Sequence, residues 1–350
     1  MEGVDTLPQS RFDSPEFSAS RRKKDARRAF RTTALALLCY ELIVNAALLL
    51  IEFIGSVLGV GNTEFYQQNS GSINLILFNV IPLYAVGFPL LMRLFRKNSK
   101  RPPLPQMRFG FGKFAGCFCI ALVFAFAGSL IGQGLLSLYT ALTGITVGSS
   151  LTATFTDVPL WLEFIIACIC APIVEELVYR KFVIDRVGRY GEGVAIVFSA
   201  VIFGLVHGNL EQMFYAALLG MLLGYIYVKT GKIVLSILLH AAFNFWGSIV
   251  SQFVTNAMNK IADLDPNAIL SPEEYISSLI VLGYELFEVF AIIAGIILLV
   301  VLIVGKKIKL NSSPLPDITS GRAVRAAWLN LGTFLLLLFT LGIVALSLLP

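Results

Sequence analysis

Two adjacent glutamates, Glu175 and Glu176, lie inside a segment that is otherwise apolar enough to cross a bilayer. Arg180 follows Glu176 by one helical turn, so these two side chains share a helix face. A charged side chain at the bilayer centre costs on the order of 3 kcal/mol even on a lenient insertion scale. An acid pair at this depth is typical of a functional site, and an internal ion pair between Glu176 and Arg180 is the structural alternative.

The chain has two histidines, and each has a partner four residues away on the same helical face. His207 follows Phe203, and His240 precedes Asn244. At 1.5 Å per residue, Glu175 and both histidines lie roughly 12–20 Å from the basic ends of their helices. These overlapping depths predict that the side chains meet in one cavity inside the membrane, reached most easily from the cytoplasm. Taken singly, each histidine is explained equally well by hydrogen-bonded packing.

Such a set of side chains could hydrolyse an amide bond, which requires a base and donors for the oxyanion. Glu175 is the candidate base, and His207 would help to hold the attacking water. His240 and Asn244 lie one turn apart and could donate hydrogen bonds to the oxyanion, each donor being worth about 3–4 kcal/mol. Arg180 would keep Glu176 ionised and orient the acid pair.

Zinc chemistry is the alternative, because Glu175, His207 and His240 could form an open catalytic site with a bound water. The chain lacks a His-Glu-x-x-His helix, however, and these three ligands would come from three separate helices. A glutamate mechanism without a cofactor is therefore favoured, and zinc is the second choice. The sequence also lacks a glycine-rich phosphate loop, so no nucleotide cofactor is expected.

The composition predicts the elements that must position these residues. Of 350 residues, 57% are hydrophobic and only 14% are charged, against about 25% charged in soluble domains. Repeated long apolar runs predict an all-α, polytopic transmembrane bundle of about eight to nine helices around a catalytic cavity. We expect helices near residues 32–60, 72–92, 113–142, 159–184, 193–207, 212–228, 233–255, 275–304 and 326–349.

The basic residues sort to one side of this bundle, since 26 of the 27 lysines and arginines fall at one end and only Lys260 at the other. This positive-inside pattern predicts a cytoplasmic N-terminus and argues against nucleic acid as a partner. Residues 1–31 are expected to form a flexible basic cytoplasmic tail that touches anionic lipid, ahead of a transmembrane domain over residues 32–350. The acids expected to face the bundle interior elsewhere are Glu41, Glu52, Glu285 and Glu288.

Three motifs resemble those of the CAAX-processing and bacteriocin-processing (CPBP, or Abi) family of intramembrane proteases, to which the type II CAAX prenyl endopeptidases belong. They are Glu175-Glu176-x-x-x-Arg180, Phe203-x-x-x-His207 and His240-x-x-x-Asn244, complete and in the family's order within about residues 159–250. The resemblance implies a catalytic role for the acids, histidines and Asn244, and an orienting role for Arg180 and Phe203.

The predicted function is therefore an intramembrane endopeptidase that acts on a membrane-associated or lipidated peptide or protein. The predicted location is a cell membrane, in a bacterium. Two other classes remain open: a proton-coupled transporter, because intramembrane acids and histidines also relay protons, and a non-catalytic membrane scaffold or immunity protein.

Overall fold

The computed structural model describes residues 19–95, 109–149, 154–262 and 270–349. Within these ranges the chain forms ten helices of nine residues or more and no strand. In chain order the helices are α1 (Ala19–Val57), α2 (Glu64–Phe95), α3 (Phe111–Thr143), α4 (residues 160–187), α5 (Glu192–Leu205), α6 (Leu210–Thr230), α7 (Ile233–Ile261), α8 (Pro272–Val304), α9 (Ser320–Trp328) and α10 (Leu331–Leu346).

The prediction of an all-α, polytopic membrane bundle is confirmed. Six of the helices are long and apolar enough to cross a membrane, namely α1, α2, α3, α6, α7 and α8. A seventh span is formed if α9 and α10 count as one helix that bends by 57°. Helix α5 is shorter but apolar, and α4 carries the acid pair.

Helix α1 begins at Ala19 rather than near residue 32, so the expectation of a flexible tail is wrong for residues 19–31. Phe30 is fully buried in the main hydrophobic core, and Ala26 is almost so. Asp25 accepts a hydrogen bond from the Tyr190 hydroxyl at 2.6 Å and pairs with Arg189 at 3.2 Å. These contacts stabilise helical structure on the N-terminal side of the apolar run. Residues 1–18 lie outside the described ranges.

The predicted last helix, residues 326–349, is also corrected. Helical structure begins earlier, at Ser320, and is interrupted between Trp328 and Leu331. The Asn330 side chain accepts a hydrogen bond from the Thr333 backbone N–H, which makes Asn330 the N-cap of a new helix. A capping residue inside an apolar run therefore produces the bend.

Helix packing brings α4 to the centre of the bundle. α1 packs against α2, α9 and α10, and α6 packs against both α3 and α5, while α4 contacts α5, α6 and α7. Helix α3 approaches α6 closely at Gly128, where a Cβ would lie 2.3 Å from the Tyr215 Cα. Only glycine allows the two backbones to meet at this distance.

The four other intramembrane acids do not share one environment. Glu41 is half-buried, and Glu288 accepts hydrogen bonds from the Trp246 indole at 3.1 Å and the Tyr284 hydroxyl at 2.6 Å, so both face other helices. Glu52 and Glu285 are exposed, and the expectation that they face the interior is wrong. Helical periodicity shows which residues share one face of a helix. It does not show which of those faces is covered by a neighbouring helix.

Candidate active site

Helix α4 departs from regular α-helical bonding on both sides of the acid pair. Residues Phe164–Cys170 and Glu176–Ile184 form π-helical turns. The Ala171 N–H bonds to the Ile166 carbonyl, and Pro172 has no N–H to offer the next carbonyl, that of Ala167. The amide of Asn244 donates to this Ala167 carbonyl at 2.8 Å. The irregular turn of α4 is thus tied to α7.

The second π-helical turn is held from α5. The Ser199 hydroxyl donates to the Tyr179 carbonyl at 2.7 Å, and both residues are buried. Side chains from two neighbouring helices therefore bind carbonyls of α4 on either side of Glu175 and Glu176. Local π-helical turns of this kind are frequent at functional sites because they re-aim the side chains that follow.

Glu176 and Arg180 form a fully buried ion pair, with 3.1 Å between Glu176 Oε2 and Arg180 Nε. Both side chains have zero exposure. The contact lies within ion-pair range but lacks the direction of a hydrogen bond. The guanidinium carbon of Arg180 also lies 4.4 Å from the centre of the Phe203 ring, a cation–π distance. Arg180 thus offsets the charge of Glu176 in a site without water contact.

His240 lies between the two acids. Its Nδ1 atom is 3.1 Å from Glu176 Oε1, and its Nε2 atom is 3.7 Å from Glu175 Oε2. Because an ionised carboxylate only accepts, Nδ1 carries the proton in the contact with Glu176. A neutral His240 then presents a lone pair at Nε2 toward Glu175, and a protonated ring presents a second N–H.

Phe203 connects both histidines and the arginine. Its ring meets His207 at 5.0 Å and His240 at 5.8 Å between centroids, with both imidazoles edge-on to it. The ring of Tyr179 packs against the same phenyl group at 5.1 Å. Phe203 is 1% exposed, so it fixes the orientation of its neighbours without reaching the surface.

His207 has a defined tautomer. Its Nδ1 lies 2.7 Å from the backbone carbonyl of Phe203, which can only accept, so Nδ1 carries the proton. The Nε2 atom is then an acceptor, and the residue is half-buried. The hydrogen bond of the His207 ring is to Phe203, and within the described part of the chain none joins it to Glu175 or His240.

Glu175 is the accessible member of the acid pair. Its side chain is 29% exposed, while that of Glu176 is not exposed at all. The phenol groups of Tyr40 on α1 and Tyr84 on α2 lie in the neighbourhood of Glu175. Neither tyrosine is predicted from the sequence, because neither stands in a motif with the acids.

A further polar group, also missed, lies along the α4–α7 contact beyond Asn244. Ser248 is one turn past Asn244 and contacts the Cys168 thiol at 3.7 Å. Ser248 also bonds to Glu163, which is 4% exposed and has one carboxyl oxygen without a hydrogen-bond partner. The four-residue spacing of His240, Asn244 and Ser248 was the signal that could have revealed this extension.

The proposed zinc ligands do not fit an ion well in this arrangement. Glu175, His207 and His240 are not grouped as a metal-binding set, and no such set of three occurs among the described residues. We therefore derive no step through zinc.

Glu175, Glu176, Arg180, Phe203 and His240 thus form one contact cluster. His207 joins it through the Phe203 ring. Asn244 lies on the His240 face of α7 and reaches α4 at Ala167. A multi-pass membrane bundle with a buried acid–arginine–histidine cluster is the class that the fold and the site define.

Comparison with known proteins narrows this class. The family described as "Type II CAAX prenyl endopeptidase Rce1-like" matches residues 157–246, which hold all three motifs. A relative from Bacillus subtilis (strain 168), named "Putative membrane peptidase YdiL", is 29% identical over 132 residues. That alignment covers 36% of this chain and 54% of the relative, so the chain matches about half the length of that protein. No solved structure matches. The resemblance to the CPBP proteases is confirmed for this part of the chain.

Proposed function

We propose that this protein is an intramembrane endopeptidase that uses a glutamate-activated water. The observation that carries the proposal is the position of His240, with one ring nitrogen at Glu176 and the other facing Glu175. A purely structural ion pair between Glu176 and Arg180 would need neither a histidine between two acids nor a second, accessible acid.

In the proposed reaction, Glu175 takes a proton from water, and the resulting hydroxide attacks the carbonyl carbon of the scissile amide. The C–N bond then breaks, and the carboxylic acid of Glu175 returns the proton to the leaving amine. His207 assists as an acceptor through Nε2, which helps to orient the water. Glu176 does not contact the reacting atoms in this scheme. Its carboxylate holds His240 in place and is itself held by Arg180.

Asn244 and His240 are the proposed oxyanion donors. The Asn244 amide has two N–H groups, and the bond to Ala167 uses one of them, so the other is free to donate. For His240 to donate from Nε2 while Nδ1 remains bonded to Glu176, the ring must be protonated.

The proposed substrate is a peptide bond of a membrane-associated or lipidated protein. The basic end of the bundle is proposed to face the cytoplasm by the positive-inside rule, in a bacterial cell membrane. Glu175 would then be reached from that side. Metal-independent activity is part of the proposal, with zinc as the competing mechanism.

The experiment compares the full chain with two glutamate variants in proteoliposomes. A panel of quenched-fluorescence peptides, farnesylated and unlipidated, is followed for cleavage by fluorescence and mass spectrometry. Glu175→Gln should remove cleavage, whereas the matched control Glu285→Gln, at an exposed glutamate of α8, should leave it unchanged. Cleavage by Glu175→Gln at the control rate would refute the proposed base.

Proton-coupled transport is a second candidate, because the partly exposed Glu175 lies beside His240, and intramembrane acids and histidines also relay protons. A transporter would acidify or alkalinise sealed liposomes under a proton gradient and cleave none of the peptides. The endopeptidase proposal expects cleavage that does not depend on the gradient. The same proteoliposomes serve for both measurements.

A further inference from the structure

A cavity of about 720 Å³ lies at the end of the bundle that carries most of the basic residues. It is enclosed by α3, α5, α6, α8 and α9, together with the segment that joins α8 to α9. Its walls are almost entirely apolar. Representative lining residues are Phe124, Val197, Met221, Leu299, Leu310 and Trp328.

This cavity is separate from the acid–histidine cluster. None of the residues of that cluster lines it. On α5 the lining extends as far as Val197, and Phe203 lies six residues, or about 9 Å, further along the helix axis. The fully buried side chains of Phe198 and Ile202 fill part of the core between the two regions. A ligand here would not need to touch the proposed catalytic residues.

The cavity opens at the surface of the bundle. Val197, Ile308, Leu310 and Val324 line it, and each is 40–45% exposed. A volume near 700 Å³ falls within the roughly 300–1,000 Å³ of ordinary ligand sites. Few polar groups converge in it, so the occupant of the interior must be a hydrocarbon chain rather than a peptide with amides to satisfy.

The mouth of the cavity is basic. Lys306, Lys307 and Lys309 are exposed and alternate with the lining residues Ile308 and Leu310. Exposed Arg322 and Arg325 flank the lining residue Val324 on α9.

Two acids close in sequence to the lining residues, Glu192 and Asp317, already have cationic partners. Glu192 pairs with Lys229 at 2.5 Å, and Asp317 pairs with Arg22. The exposed lysines of the segment between α8 and α9 therefore leave a net positive charge at the entrance. Exposed basic groups at a membrane surface attract anionic headgroups.

We propose that this cavity binds one acyl chain of an anionic glycerophospholipid, with the phosphate held by Lys306, Lys307 and Lys309. The apolar interior matches the chain, and the basic rim matches the headgroup. The indole of Trp328 lies in the wall of the cavity. This site is independent of the proposed peptidase activity.

Trp328 also provides the probe. The chain has three tryptophans, so a Trp161→Phe/Trp246→Phe variant keeps Trp328 alone. The full chain is reconstituted in phosphatidylcholine bilayers that contain a rising fraction of brominated phosphatidylglycerol or, in parallel, brominated phosphatidylcholine. We expect quenching by the anionic lipid to saturate, at a mole fraction about fivefold lower than for the zwitterionic lipid.

Two variants test the two parts of the site. Gly193→Phe places a ring in the cavity, because a Cβ on Gly193 lies 3.4 Å from Leu310 Cδ1, and should reduce saturable quenching by both lipids. Its control is Gly134→Phe, where a Cβ has nothing within 4 Å. Lys306→Gln/Lys307→Gln/Lys309→Gln should remove the preference for phosphatidylglycerol, and Lys260→Gln at the opposite end should keep it.

Native mass spectrometry of the unmodified chain, released from phosphatidylglycerol-containing nanodiscs, gives an independent readout. One retained phosphatidylglycerol, lost in Gly193→Phe, is expected. Equal quenching by the two lipids, quenching that rises linearly without saturation, or insensitivity to Gly193→Phe would each overturn the proposal. An increase in quenching after deletion of residues 1–18 would also overturn it, because the chain itself would then occupy the cavity.

Discussion

The Nδ1 atom of His240 lies 3.1 Å from Oε1 of Glu176, although 64 positions separate the two residues in the chain. Glu176 is held in turn by Arg180, and all three side chains are at most 4% exposed. A charge network buried this completely is costly to assemble, and the loss of one member leaves another charge uncompensated. The first prediction follows from this dependence.

Glu176→Gln should destabilise the protein by about 3–5 kcal/mol, because Arg180 would remain buried without its counter-ion. The free energy of unfolding can be followed by thermal denaturation in detergent. The matched control is Glu285→Gln, which removes a carboxylate from an exposed position and should change stability little. Equal melting temperatures for the two variants would mean that the ion pair contributes nothing.

A double variant tests whether the loss of stability comes from the charge that is left unpaired or from the change in side-chain volume. Glu176→Leu/Arg180→Met should be more stable than Glu176→Leu alone, since no unpaired charge remains. Peptide cleavage should still be lost in the double variant, because His240 loses its partner. Recovery of stability together with full activity would contradict the orienting role of Glu176.

The bond from Asn244 to the Ala167 carbonyl predicts a coupling between α7 and Pro172. Asn244→Leu should cost about 1 kcal/mol of stability in the native background, where no N–H replaces the lost donor. In a Pro172→Ala background the new backbone N–H can serve the carbonyls of this turn, so the same substitution should cost less. Thermal unfolding of the four proteins gives the coupling energy. Strict additivity would mean that the missing proline N–H does not create the need for Asn244.

Glu288 and Glu285 are three residues apart on α8 but differ in their contacts. Glu288→Leu should lower stability by about 1–3 kcal/mol, because the Trp246 indole and the Tyr284 hydroxyl lose their acceptor. Glu285→Leu should be neutral or stabilising at its exposed position in an apolar helix. Chemical denaturation in mixed micelles compares the two variants, and the reverse order would show that Glu285 has the structural role.

The buried phenol of Tyr190, between α4 and α5, is expected to make the protein less stable at alkaline pH. Burial is the main cause that raises the pKa of its phenol above the ordinary value, and the hydrogen bond to Asp25 adds to it. The stabilisation is therefore complete below the unfolded pKa of about 10 and is lost as pH rises above it. The melting temperature should fall more steeply above that pH in the native chain than in Tyr190→Phe. Parallel curves would contradict the prediction.

The sequence predicted the helices around the site well because apolar runs and intramembrane charges are local signals. The depth of each motif along its own helix also placed Glu175, Glu176 and His240 together. The positions of Tyr40, Tyr84 and Glu163 near the site depend on how the helices pack against one another. The periodicity within a single helix does not contain that information. The early start of α1 escaped prediction for the same reason, since Asp25 and Phe30 are ordered by partners distant in sequence.

The environments of the four acids outside the active-site cluster could not be predicted from the sequence for the same reason. Glu41, Glu52, Glu285 and Glu288 look alike in sequence, as single acids in apolar helices. The packing of α7 against α8 brings the Trp246 indole to Glu288, which also accepts from Tyr284 of its own helix, whereas Glu285 is exposed. A single intramembrane acid in the sequence is thus a weak indicator of the environment of its side chain.

The most direct test is the cleavage rate of metal-stripped protein, measured in proteoliposomes for the native chain, Glu175→Gln and Glu285→Gln. A glutamate base predicts that the native chain and Glu285→Gln keep equal activity after chelation, while Glu175→Gln is slower by about 10²–10⁴-fold. Activity that disappears on chelation and returns with zinc, or a Glu175→Gln rate equal to that of Glu285→Gln, would contradict the account.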